Sequence, residues 1–129
     1  MTEKNFNKLL KEFEKNGYAK YQKTGFRNED YYFAKSFHKA DNIFEEDRPA
    51  YHISYFIYDW RNYPNPARRE DPFGIDIEIL VSRTSGEYVK LELTWGENDS
   101  IEYIEQTAES FFNWASVMWV SPRDNNYGK

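Results

Sequence analysis

The sequence contains no cysteine at all and only two histidines, His38 and His52. The first absence removes disulfides, thiolate catalysis and cysteine-based zinc sites together. The second leaves few ways to assemble a nucleophile with a neighbouring base. Glycine and proline are also sparse, at 6 and 5 residues, which excludes collagen-like and low-complexity classes. No stretch approaches the roughly 20 apolar residues of a membrane-spanning helix. The N-terminus carries Lys and Glu throughout and lacks the apolar run of a signal peptide. These features read as a cytoplasmic protein. Among catalytic signatures, G-x-S-x-G, the P-loop, G-x-G-x-x-G, H-E-x-x-H and the EF-hand loop are all missing.

Aromatic residues, by contrast, are abundant. Tyr, Phe and Trp number 11, 10 and 4, or 19% of 129 residues, within a 40% hydrophobic total. A chain of this length buries roughly two thirds of its unfolded surface, so the composition describes one folded domain. The mean hydropathy of −0.94 reflects the tyrosines and a 30% charged content. We read residues 1–120 as a single domain and residues 121–129, polar and opening with Ser-Pro, as a flexible tail.

The charge is negative, with 22 acidic against 17 basic side chains and a net charge of −5. It is also uneven. Residues 1–49 carry ten basic and nine acidic groups, while 50–129 carry seven and thirteen. Sequence-independent nucleic-acid binding needs a cationic footprint, so direct nucleic-acid binding is not expected. The seven acids from Glu87 to Glu109, against Lys90 alone, favour a basic partner surface.

Hydrophobic spacing then sets the architecture. Thr2 is a helix cap, and Phe6, Leu9, Leu10 and Phe13 form one stripe at helical period, ended by Asn16-Gly17. This predicts a helix over 3–16. From residue 18 to 95 the period becomes two, with strands expected at 18–23, 31–38, 50–60, 75–82 and 89–95. The run 50–60 is apolar on both faces and reads as the central strand. The last two strands form a hairpin around a short turn containing Gly86. A second helix follows, with Asp99 and Glu102 as a capping box and Ile101, Ile104, Ala108, Phe111, Phe112, Ala115, Met118 and Trp119 on one stripe of about five turns. The order helix, five strands, helix predicts an α+β fold: a five-stranded antiparallel meander with both helices on one face, in two layers.

Three surfaces could carry function. Asp76, Glu78, Glu92 and Lys90 share the sheet face away from the helices, and with His52 they offer the ingredients of a metal-assisted hydrolase or nuclease-like site. The plainer reading is a cross-strand ion-pair ladder using Lys90 and Arg83. The loop 61–74 is long, holds three prolines, and concentrates Arg61, Arg68 and Arg69 beside Tyr58, Trp60 and Tyr63. Arg, Trp and Tyr are the residues of interface hot spots, unless Glu70 and Asp71 neutralise the arginines. The loop after His38 places Ile43-Phe44 next to an acidic run, a further docking candidate. The reading these features favour is a non-enzymatic, acidic protein-binding module of inhibitor or immunity type, with Tyr58, Trp60, Arg61, Tyr63, Arg68 and Arg69 as its contact residues and no cofactor. The enzyme at the sheet-face carboxylates is the alternative, and a small-ligand pocket between helices and sheet is a third reading.

Overall fold

The computed structural model describes residues 1–25, 27–38, 50–62, 65–83 and 86–127. The loop holding Ile43 and Phe44, and Tyr63, lie outside the described residues.

The first helix, α1 (Glu3–Lys15), starts where the sequence places it, with the Thr2 hydroxyl accepting from the Asn5 amide at 3.2 Å. It stops at Asn16, because Gly17 takes φ +79, a left-handed conformation that costs glycine little. Strands β1 (Ala19–Gln22), β2 (Tyr31–His38), β3 (Ala50–Asp59), β4 (Phe73–Ser82) and β5 (Tyr88–Thr94) follow in sequence order, each antiparallel to the next. β3 is the middle strand, as its two-sided apolar character predicts. Strand β4 alternates buried and half-buried positions without a break, so Ile75, Ile77, Ile79 and Val81 point into the core.

Both helices pack on that inner face. Phe6 stacks on Phe73 at 3.9 Å between ring centroids, and Phe13 lies between Phe33 at 4.5 Å and Tyr55 at 4.8 Å. From the second helix, α2 (Ile101–Tyr127), Ile101, Ile104 and Ala108 join the same cluster, while Phe112 packs on Tyr51 at 4.9 Å. The result is the expected two-layer α+β fold, a meander with its helices on one side. Among the described residues, no helix is long and apolar enough to cross a membrane.

Three details depart from the sequence expectation. Phe111 is only half-buried, whereas Phe112 is 3% exposed, because positions 101, 104, 108, 112 and 115 are the ones that face the sheet. The cap of α2 is Ser100, whose hydroxyl accepts from the Tyr103 amide at 3.0 Å, while Asp99 turns back to accept from the Gly96 amide. The helix also runs on through Ser121-Pro122 to Tyr127 instead of ending near 120. A proline forfeits one backbone hydrogen bond but keeps a helical φ, so it need not halt a helix already propagating.

Candidate functional site

The sheet face away from the helices carries the carboxylates the sequence singles out. Glu78 stands directly opposite Glu92, Asp76 opposite Thr94, and Lys90 opposite Leu80. Two acids facing each other across a pair of strands repel, so something must compensate them. The cation that does so is Arg27, from the β1–β2 connection. One guanidinium nitrogen donates to Glu78 Oε2 and to Glu92 Oε1, both at 2.9 Å, and Asp76 lies 3.9 Å from the other. The guanidinium plane lies over the Phe56 ring at 4.3 Å, a cation–π contact that also shields it from water.

The connection is held at both ends. Glu29, 2% exposed, accepts from the Thr24 amide at 3.3 Å and from the Thr24 hydroxyl at 3.2 Å. The Asp30 amide donates to the Ile57 carbonyl at 2.8 Å, and the Asp30 carboxylate accepts from the Asp59 amide at 2.7 Å. The carboxylates are thus drawn together by Arg27 and not by the cross-strand pairing of Asp76 and Glu78 with Lys90 and Arg83 that the sequence suggests; Lys90 lies 3.4 Å from Glu92 on its own strand. An arginine occupies the position where a metal reading needs an ion, and among the described residues no group of three or more acids and histidines is arranged to hold one. His52 stands in the adjacent row, opposite Leu80, and its Nδ1 is 2.7 Å from the Ser36 hydroxyl across the β2–β3 pair. It is thus one row removed from the carboxylates and forms no single site with them.

The arginine loop divides into two parts. Arg61 folds back: its Nε and a terminal nitrogen grip Asp59 at 2.9 and 2.7 Å, and the other terminal nitrogen reaches Glu3 of α1 at 3.0 Å. Those hydrogen bonds hold the Asp59 carboxyl below its ordinary range. Arg61 is therefore a strut between loop and helix. Arg68, in the single 3-10 turn Pro66–Arg68, instead lies over Trp60 at 3.8 Å, and Trp60 in turn stacks against Tyr58 at 5.9 Å. The indole rests on Gly74, where an added Cβ would come within 2.7 Å of Cζ3. Among the described residues, Glu70 and Asp71 do not neutralise the arginines. Asp71 pairs with the Met1 amino group, and among the described residues neither Arg68 nor Arg69 has an ion-pair partner.

Trp60 and Arg68 are among the residues lining a groove of about 1290 Å³ between α1 and the start of α2. Phe73, Ile75 and Trp95 lie along its floor, and Lys8 and Glu12 of α1 along one wall. Six acidic residues (Glu12, Glu70, Asp71, Glu97, Asp99, Glu102) line it against three basic ones (Lys8, Lys15, Arg68). A pocket between helices and sheet is one of the sequence expectations, but its lining is not legible there, because α1, the 61–74 loop and the 96–100 turn meet only in three dimensions. No family model, curated protein or solved structure matches the chain.

Proposed function

We propose that the chain is a protein-binding module, with an inhibitor or immunity-type role as its concrete form, contacting its partner through the Tyr58–Trp60–Arg68 stack and the groove that Trp60 and Arg68 help to line. The observation that carries this reading is the stack itself. A large flat aromatic lining the groove lies under an arginine that, among the described residues, has no carboxylate partner, the combination in which interface energy concentrates. Arg69 is exposed next to it and adds a second guanidinium fork for carboxylates on the partner. The groove's size supports a chain segment over a small ligand, since it exceeds the roughly 300–1,000 Å³ of pockets that enclose small molecules. The net charge of −5 supports a protein partner over a nucleic acid.

The test compares immobilised wild type with R68A/R69A in capture from host lysate, followed by binding kinetics at two salt concentrations on any protein recovered. The reading expects a partner held by wild type and lost by the double variant, with affinity down by roughly 2 kcal/mol or more if either arginine is a hot spot. Equal retention by both proteins, with equal kinetics, would remove this surface.

A further inference from the structure

We propose that the free edge of β5 pairs with the same edge of a second copy of this chain, antiparallel and centred on Leu91, making one continuous sheet across a two-fold axis. β5 is the last strand of the sheet, and among the described residues nothing pairs with its outer side. It is seven residues long, whereas the opposite edge, β1, has four. Natural edges are usually blunted by being short, covered or charged; β5 is not short, nothing among the described residues covers it, and its charges, Lys90 and Glu92, are of opposite sign.

Backbone direction and charge together select the register, and uncovered apolar surface lies on the same side. The first of these three features is backbone direction. The Trp95 amide donates to Ile75 and the Arg83 amide to Glu87, so the odd positions of β5 turn their backbone groups toward β4. By the antiparallel alternation, Tyr88, Lys90, Glu92 and Thr94 present theirs outward. Pairing about Leu91 sets even residues opposite even residues, as those outward groups require.

The second feature is charge. In this register Lys90 faces Glu92 of the second copy, and Glu92 faces its Lys90, two reciprocal opposite-charge pairs. Shifting the axis to Lys90 or to Glu92 keeps the backbone in phase but sets like charges face to face, which is unfavourable. Among the registers that keep the backbone in phase, only the Leu91-centred one sets Lys90 opposite Glu92 in both directions.

The third feature is uncovered apolar surface on the same side. Val89, Leu91 and Leu93 face the helix layer but remain half-buried. Beside them lies one flank of α2, where Phe111 stacks on Trp114 at 5.6 Å and Trp114 is 53% exposed. That flank adjoins Val89: Phe111 and Val89 pack, together with Tyr51 of β3, against one small cluster of Val81, Phe112 and Ala115. Pairing sets Val89 against Leu93 and Leu91 against Leu91, and it brings the two aromatic flanks together above the seam.

The experiment is sedimentation velocity with light scattering across a dilution series of the full chain. Wild type is expected to shift reversibly to the mass of two 15.6 kDa chains as concentration rises. K90E places like charges opposite one another in both pairs and should weaken association by about tenfold; K90E/E92K restores opposite charges and should recover it. K90P deletes an outward-facing amide without touching the β4 ladder, and it should weaken association as well. Far-UV circular dichroism confirms that each variant is folded. A wild type that stays monomeric at every concentration overturns the proposal, as does a dimer that neither K90E nor K90P affects.

Discussion

Gly74→Ala separates two opposite expectations by sign. Gly74 lies inside β4 with an ordinary extended backbone, and a glycine there costs a strand roughly 0.5–1 kcal/mol relative to alanine. On backbone grounds alone, the substitution should therefore stabilise the protein. The new methyl, however, would meet the Trp60 indole, with Cζ3 at 2.7 Å and Cζ2 at 3.2 Å. The ring cannot lift freely, because Arg68 covers it at 3.8 Å and Tyr58 flanks it. Overpacking a filled site costs about 1–3 kcal/mol, and disturbing the cation–π contact adds about 0.5–1 kcal/mol at a partly exposed position. The expected net effect is a loss of about 1–2 kcal/mol, read as a lower urea midpoint at unchanged slope, with a change in Trp60 emission. In W60A the same substitution should recover the backbone benefit and become neutral or stabilising. A Gly74→Ala protein as stable as wild type, in a background with Trp60 intact, would refute the packing argument and free the indole from its place in the groove lining.

Arg27→Met leaves Glu78 and Glu92 facing each other without their shared cation. The groups are partly solvated, so the expected loss is about 1–2 kcal/mol, below that of breaking a fully buried pair. Arg27→Lys should restore it only in part, since an ammonium can bridge the two carboxylates but lacks the guanidinium plane over Phe56 and the second nitrogen near Asp76. Phe13→Ala, at a fully buried ring, should cost about 3–5 kcal/mol, while Trp114→Ala should stay within about 0.5 kcal/mol in dilute monomer; similar melting shifts for the two would reverse the assignment of helix faces. Asp59 has its pKa depressed by Arg61, so its contribution is fully present above the unfolded value of about 3.9 and is lost as pH falls through the lower folded value. Asp59→Asn should therefore be less stable than wild type near neutrality, with the gap closing as pH falls below the ordinary carboxylate range; a pH-independent gap would mean the carboxylate's charge plays no part.

The strands and α1 were legible because their signal is local. Alternation at Ile75, Ile77, Ile79 and Val81, or the stripe Phe6, Leu9 and Phe13, needs only near neighbours, and each became a buried row. Choices between adjacent residues were harder. Asp99 and Ser100 both favour a cap position, and only the chain's path at Gly96 decides that Ser100 serves α2. The main omission was Arg27. It meets Glu78 and Glu92 across 51 and 65 residues of sequence, a distance no periodicity spans. The imbalance itself was visible, since the 75–95 hairpin holds three open-face acids and Lys90 as its one open-face base. That deficit called for a cation from elsewhere, and Arg27 follows Gly25 in a connection fixed by Glu29 and Asp30.

The two surfaces proposed for binding and for pairing share one geometric origin. Five strands at about 4.8 Å spacing make a sheet about 24 Å wide, while two helices packed at roughly 10 Å cover about 20 Å of it. The deficit cannot fall at the centre, where β3 and β4 hold Ile53, Tyr55, Ile57, Ile77 and Ile79 at 0–1% exposure. It falls instead at the β5 edge, where Val89, Leu91 and Leu93 stay half-buried, and at the end where α1 and the start of α2 leave a groove over Phe73 and Trp95. The chain treats these places differently. It lines the groove with Trp60 under Arg68, two side chains held against each other at 3.8 Å. It leaves β5 with its backbone bare and with charges that complement their own copy, so the edge is suited to strand pairing and the groove to an inserted segment.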